Sequence, residues 1–360
     1  MRLDHLWISD FRNYAAAELA LPSGLVVIVG DNGAGKTNLL EAIAYLTTLS
    51  SFRGAGQDAL VRAGAPQAVV RGEGDRAGRA LLIEAEIKPT GRGRITVNRQ
   101  PLRRSADITA TLRVSVFSPD DLALVKAGPT GRRRYLDDTL SALHPRNEAT
   151  RRDYERVVRQ RNALLAQAGG RLSDDIASTL DVWDARLVET GEAVGTARSD
   201  LVARLEPALG KAYAAIAGGD STAATMAYEA PWREHGLAAV LHKARREELR
   251  RGVSLVGPHR DELALSIRGM PARTHASQGE QRSLALALRL AAHDVVTELV
   301  GEPPLLLLDD VFSELDSGRS QALLDHLPEG QSVLTTTGEI PEAATPHRVV
   351  RIQDGRIQDS

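Results

Sequence analysis

Cysteine is absent from the 360 residues. That excludes disulfides, thiol catalysis and cysteine-ligated zinc, and it suits a reducing cytoplasm. Long apolar runs are missing too: no stretch approaches the ~18–20 residues of a membrane helix. The opening MRLDHLWISDFRNY mixes charge with apolar residues where a signal peptide would carry an unbroken apolar run. A cytoplasmic protein with no membrane partner is therefore expected. Neither sign of charge dominates, with 45 basic and 47 acidic residues and a net charge of −2, so any nucleic-acid site must be a local patch. Lysine itself is scarce, with five residues at 36, 88, 126, 211 and 243. A codon bias toward arginine accounts for the scarcity, and it makes Lys36 conspicuous.

What is present reads as two or three packed lobes with ordinary apolar content, 42% of residues. Short strand patterns fill the first third: Leu3–Ile8, Ala17–Leu21, Leu25–Val29, Ala80–Lys88, Arg94–Asn98 and Arg113–Phe117. The glycine clusters Gly72-Glu73-Gly74 and Gly91-Arg92-Gly93 read as turns between them. From about Pro145 to Arg251 the spacing becomes helical, through Tyr154, Val158 and Leu165, then Ile176, Leu180, Trp183, Leu187, Val194, Leu201 and Leu205. Gly169-Gly170 breaks the two runs, as the tip of a helical hairpin would. Beyond Val253 the α/β pattern resumes. It has strands at Leu263–Ile267, Leu305–Leu308, Ser332–Thr336 and Arg348–Ile352, and helices over Gly279–Val300 and Asp316–Leu327. The expected architecture is an α/β P-loop head assembled from both chain ends, residues 1–144 and 253–360, with a helical arm at 145–252 inserted between them.

Residues 30–37, GDNGAGKT, match G-x-x-x-x-G-K-[ST] in the context that gives the match meaning. An apolar strand leads in and Asn38-Leu39-Leu40-Glu41-Ala42-Ile43 leads out as a helix. In such a loop Gly30, Asp31, Asn32, Gly33, Ala34 and Gly35 present backbone N–H groups to phosphate oxygens at a helix N-terminus. Lys36 would reach the β- and γ-phosphates of ATP, and the Thr37 hydroxyl would bind Mg²⁺. An ordinary Gly-rich strand–helix turn is the competing reading, and the Lys-Thr pair in register counts against it. Four leucines followed by Asp309-Asp310 supply acids at the carboxyl end of a strand, where α/β sites lie. Asp309 is assigned to the Mg²⁺ shell, and Asp310 to orienting or activating the attacking water. Helix N-capping is the competing role for the pair.

Ser277-Gln278-Gly279-Glu280-Gln281 resembles the signature motif of the ABC ATPase superfamily, and Ser313-Glu314-Leu315-Asp316 resembles its D-loop. The match narrows to the RecF family of recombination mediators, relatives of the SMC proteins. The chain opens with Leu6-Trp7-Ile8-Ser9-Asp10-Phe11-Arg12-Asn13-Tyr14, similar to that family's start. Phe117-Ser118-Pro119-Asp120-Asp121-Leu122, Arg132-Arg133-Arg134-Tyr135-Leu136-Asp137 and Gly257-Pro258-His259-Arg260-Asp261 resemble its further segments. The resemblance implies an ABC-type head that binds ATP and Mg²⁺, with Arg12, Asn13, Ser277, Gly279 and Gln281 added to the nucleotide site. It implies that Ser277 acts across an ATP-dependent homodimer, where a helix N-terminus suits a γ-phosphate arriving from the partner. It also implies a weak, DNA-stimulated ATPase that binds double-stranded DNA and gap or junction DNA, works with RecR and RecO, and helps load the RecA recombinase. Transporter ATPases carry a histidine after the strand following the acidic one; Thr335-Thr336-Thr337 stand here instead, and Asp310 is shorter than the usual Glu. Both departures predict slow hydrolysis, a switch and not a motor.

Between Lys126 and Arg161 ten basic residues face five acids, a local net of +5, whereas 301–360 has four arginines and eleven acids. This asymmetry predicts a basic face near the arm that contacts DNA phosphates without reading sequence. With aromatics at 4% of the chain, duplex is favoured over stacked single strand. Two other classes compete. One is a transporter subunit, against which the missing histidine counts; the other is an SMC-like tether, for which ~45 residues of helix, about 70 Å, are short.

Overall fold

In the computed structural model, residues 1–102, 105–338, 340–341 and 344–358 are described. Of the acids counted above, Glu339, Glu342 and Asp359 lie outside these described residues. The chain opens with β1 (Arg2–Phe11) and β2 (Tyr14–Ala20), followed by β3 (Leu25–Val29) and α1 (Lys36–Thr48). A single turn, α2 (Gln57–Leu60), leads to β4 (Ala68–Arg76), β5 (Arg79–Ile87), β6 (Ile95–Val97) and β7 (Gln100–Pro101). Next come β8 (Val114–Phe117), α3 (Leu122–Lys126), α4 (Pro129–Leu143), α5 (Pro145–Ala168) and α6 (Asp174–Ala217). Then β9 (Ala224–Glu229), α7 (Leu237–Arg251), β10 (Glu262–Ile267), β11 (Met270–Pro271) and α8 (Ala272–His275) lead to α9 (Gln278–Val300). The chain closes with β12 (Leu305–Leu308), α10 (Ser317–Asp325), β13 (Ser332–Thr336), β14 (Arg348–Gln353) and β15 (Arg356–Gln358).

The central sheet has the order β15-β14-β3-β13-β12-β8 and is parallel except for β15. Its strands are apolar runs because both faces are covered, as parallel sheets require. Alternate residues of the sheet enter two separate cores. Val26, Ile28, Leu305, Leu307 and Val333 pack with α1 and the antiparallel sheet β2-β1-β4-β5-β6-β7. Val27, Leu306, Leu308 and Leu334 pack with α4, α6 and α9 on the other side. The phosphate-loop helix and the signature helix therefore lie on opposite faces of one sheet. Buried Gln331 ties the layers: its Nε2 donates to the carbonyls of Leu3 and Leu21, and its Oε1 accepts from Leu3 N–H.

Three expectations are corrected. Gly72 and Gly74 belong to β4 and form no turn: a Cβ on Gly74 would stand 2.0 Å from the Arg2 carbonyl oxygen, so the glycine serves close strand approach. The span read as a helical arm also contains the strand β9, which pairs antiparallel with β10 beyond it. The arm is shorter than expected as well. The helix α5 has 24 residues, about 36 Å. The last turns of α6, with Leu201, Leu205, Leu209 and Ile216, are buried in the head core against α9. Of the helical stripe, Tyr154, Leu165, Leu180, Leu187, Val194, Leu201 and Leu205 are buried, and Val158, Ile176 and Trp183 are half-buried. Gly169 caps α5 in the left-handed region at φ 55°.

The predicted basic face is largely used internally. Arg132 is buried and forms a two-pronged pair with Glu262. Arg161 is wholly buried between Asp184, Glu248 and the Ser254 hydroxyl. On the outer surface of α4 and α5, Arg134 pairs with Asp138, Arg151 with Glu148 and Glu155, Arg152 with Glu148, and Arg156 with Asp153. Part of the net of +5 is therefore taken up locally, by arginines and acids at i,i+3 and i,i+4 spacing, while Lys126, Arg146 and Arg159 stay exposed.

Candidate functional site

The loop between β3 and α1 is held from three sides. Asn13 Nδ2 and Gly355 N–H both donate to the Ala34 carbonyl, and Tyr14 OH donates to the Gly35 carbonyl. Gly35, which caps α1, sits at φ 117°, open only to glycine. Lys36, 6% exposed, curls back so that Nζ donates to the carbonyls of Gly30 (2.7 Å) and Asp31 (2.9 Å). Burial lowers its pKa, while Asp310, Asp309 and Asp31 pull it upward. An ammonium held by two neutral carbonyls can exchange them for phosphate oxygens, with which its hydrogen bonds are shorter and about twice as strong.

Two strands away, the acids come into register with the loop. Strand β13 lies between β3 and β12, and Thr37 Oγ1 donates to Asp309 Oδ1 at 2.8 Å across 272 residues of sequence. Thr335 Oγ1, from β13, donates to the same oxygen at 2.8 Å. Burial raises the Asp309 pKa, and the two hydroxyl donors oppose that rise. Asp310 adopts a left-handed backbone at φ 47°, and its Oδ1 is buried with no hydrogen-bond partner. Thr37 Oγ1 and Asp309 Oδ1 make an all-oxygen donor pair. With phosphate oxygens completing the shell, that pair fits Mg²⁺.

The remaining expected site residues divide. Asp31, Asn32 and Gly33 form the open part of the loop. Ser277 is exposed at the start of α9 in a capping box: its Oγ accepts from Glu280 N–H, and Glu280 Oε2 accepts from Ser277 N–H. Gly279 is covered by the guanidinium of Arg319, whose Nη1 also donates to Asp316 in the D-loop segment at 2.9 Å. Two expected residues have partners within the chain. Gln281 is buried, and its Nε2 donates to the carbonyls of Ala272 and Arg273, so it fastens α8 under the signature helix. Arg12 grips wholly buried Glu41 with two donors and the Ala59 carbonyl with a third, so its fork holds β1 to α1 and is not open to the loop. Asn13 acts on the loop backbone, as its bond to Ala34 shows.

Sequence reasoning did not find the clamping roles of Tyr14, Gly355 and Thr335. The Phe11-Arg12-Asn13-Tyr14 string was the available signal for Tyr14; Gly355 had none. The further family-like segments turn out to be architecture. Asp137 pairs with Arg198, Asp121 with Arg289, and Asp261 accepts from Trp232 Nε1 and from Tyr228.

Comparison with known proteins agrees with this geometry. The family model for the RecF/RecN/SMC N terminal domain matches residues 2–354. The DNA replication and repair protein RecF of Kineococcus radiotolerans is 44% identical over 367 residues, covering 95% of this chain and 94% of that protein. The chain belongs to the RecF family. Its counterpart from Streptomyces avermitilis is 44% identical over 350 residues, with 93% of each covered. Among solved structures, the recombination mediator protein RecF-ATP of the RecFOR pathway superposes with a TM-score of 0.89 at 30% identity, covering 99% of this chain and 96% of the other. An Smc head bound to the C-terminal winged-helix domain of ScpA gives 0.58 at 18% identity and shows the shared fold alone. The fold of this family member is thus the ABC-type ATPase head built from both chain ends.

Proposed function

We propose that this RecF-family protein is an ATP-dependent DNA-binding factor of recombinational repair, whose two copies close on ATP around duplex DNA near gaps or junctions. The observation that carries the reading is the Thr37–Asp309 bond, which joins the phosphate loop to the acidic strand within one chain. Gly30 to Gly35 would hold the triphosphate with backbone N–H groups, and Lys36 would trade its two carbonyls for phosphate oxygens. Mg²⁺, when bound through Thr37 and Asp309, supplies charge stabilisation at the phosphates. Asp310, with its carboxylate oxygen unpartnered, would orient the attacking water. β13 ends at Thr336 and is followed directly by Thr337 where transporter ATPases carry a histidine, which supports slow turnover used as a timing switch.

Dimerisation is supported by the placement of Ser277. Its helix packs on the face of the central sheet opposite α1, so one chain offers a loaded phosphate loop and, separately, an exposed helix N-terminus. Two copies arranged head to head would satisfy both. Likeness to the RecFOR-pathway structure supports RecR with RecO as partners, and RecA loading as the downstream step. The SMC-like tether is disfavoured by the arm, in which α5 has 24 residues and the end of α6 is embedded in the head.

Sedimentation velocity with and without Mg²⁺ and a slowly hydrolysed ATP analogue, repeated with duplex DNA, tests the reading. A monomer that becomes a DNA-bound dimer only with nucleotide is the expected result. A monomer under every condition would overturn the clamp.

A further inference from the structure

Thr335 carries no part in the reading above, yet its hydroxyl hydrogen-bonds to both Asp309 and Asp310. It is wholly buried in β13, the strand between the phosphate-loop strand and the acidic strand. Its hydroxyl has a single proton, and its partners decide where that proton goes. Asp310 N–H can only donate, and it reaches Thr335 Oγ1 at 2.9 Å. The hydroxyl proton is then left for Asp309 Oδ1, at 2.8 Å. One oxygen thus fixes Asp309 through its carboxylate and Asp310 through its main chain.

That main-chain contact matters because of the backbone at Asp310. A left-handed conformation is unfavourable for a residue with a Cβ and persists where its surroundings hold it. The φ of 47° at Asp310 follows directly after a fully buried strand, and the Thr335 hydroxyl caps the N–H at that bend. The side chain that leaves this bend has its Oδ1 buried and without a hydrogen-bond partner.

We infer that Thr335 is a positioning residue for hydrolysis, which divides the two acids between their tasks. It presents Asp309 to the metal side of the site and holds Asp310 bent toward the position of the attacking water. Thr37 shares the first task, since it also donates to Asp309 Oδ1; in the second, Thr335 holds the Asp310 N–H while Ser313 Oγ donates to the Asp310 carbonyl at 2.8 Å. The inference rests on the ATP reading proposed above. It separates two quantities that this reading leaves joined, because nucleotide affinity belongs to the loop and Lys36, and turnover to the Thr335-held bend.

The test uses the full chain with ATP and Mg²⁺ and compares wild type, Thr335→Val, Thr335→Ser and Lys36→Ala. It measures the affinity for a fluorescent ATP analogue, single-turnover phosphate release and the melting temperature. Thr335→Val keeps the shape and removes the hydroxyl. It is expected to hold affinity within about threefold and to slow phosphate release at least about tenfold, as loss of a placement-setting contact does. Thr335→Ser, which restores the hydroxyl, is expected to recover most of the rate. Unchanged release in Thr335→Val would overturn the inference. So would parallel loss of affinity, rate and melting temperature without rescue by serine, which marks a merely structural threonine. Failure of the ATP reading is distinguishable, because wild type would then bind the analogue no better than Lys36→Ala, whatever the residue at 335.

Discussion

Two groups of buried charges divide the molecule. At the root of the arm, Arg161 is enclosed by Asp184, Glu248 and Ser254, and Arg198 by both oxygens of Asp137 and the Pro258 carbonyl. At the phosphate loop, Lys36 rests on two neutral carbonyls, and Asp310 leaves a buried oxygen unpartnered. Both groups are desolvated, and desolvation alone does not tell them apart. Completeness of partnership does. A charge matched by a buried opposite charge is architecture, since removing one strands the other. A charge with neutral, replaceable partners is ready for a ligand to complete it.

The comparison breaks most readily at Lys36. Lys36→Ala should reduce ATP affinity at least about a hundredfold, because hydrogen bonds to charged groups contribute about 1.5–3 kcal/mol each, and should leave the melting temperature of the nucleotide-free protein nearly unchanged. Titration calorimetry beside thermal melting checks both halves. Arg161→Ala should do the reverse. It should cost about 3–5 kcal/mol of stability by leaving two carboxylates unpaired, seen in denaturant unfolding, while affinity for ATP stays close to wild type in the folded fraction.

Ser277→Ala sharpens the difference between loop and signature. It should bind nucleotide normally and fail to dimerise; normal ATP-dependent dimers in sedimentation would remove the proposed role across the interface. The pH dependence probes the arm root. Burial depresses the His259 pKa from 6.5 to about 4, and its ring accepts or donates between Tyr154 OH and the Ser254 carbonyl. Between those values the unfolded chain binds the proton and the folded one does not. Its contribution is therefore whole above pH 6.5 and is lost as pH falls toward 4. Melting temperatures from pH 7 to 5 should fall more steeply in wild type than in His259→Gln. The smallest effect is expected from Arg151→Ala and Arg156→Ala, whose charges are already matched by neighbouring acids. Duplex affinity in salt titrations should change less than about threefold, as exposed pairs contribute about 0–1 kcal/mol.

Much of this site was legible before folding. The loop, its lysine and threonine, and the two acids follow from an eight-residue pattern and from four leucines ending in Asp309-Asp310, because phosphate binding by a loop is a local property of backbone N–H groups. The parallel strands of the central sheet were legible too, whereas β4 and β9, each in a sheet with another strand opposite, were not read as strands. The misreadings share one cause. Gly72 and Gly74 look like turn residues, Arg12 and Gln281 look like ligand contacts, and the arginines of 126–161 look like a DNA face. In each case the function depends on what lies opposite in space: Arg2 against Gly74, Glu41 against Arg12, Ala272 against Gln281, and acids one turn away from Arg134, Arg151, Arg152 and Arg156.

Residue type, periodicity and loop spacing are local, so the strand ends that carry the proposed phosphate and metal groups could be read from the chain alone. Only the tertiary structure decided that Thr37 meets Asp309 across 272 residues, that Thr335 stands between the two acids, and that Ser277 occupies the opposite face of the sheet. Strand order is set by the packing of both cores around the central sheet, and no single segment of the chain carries that information.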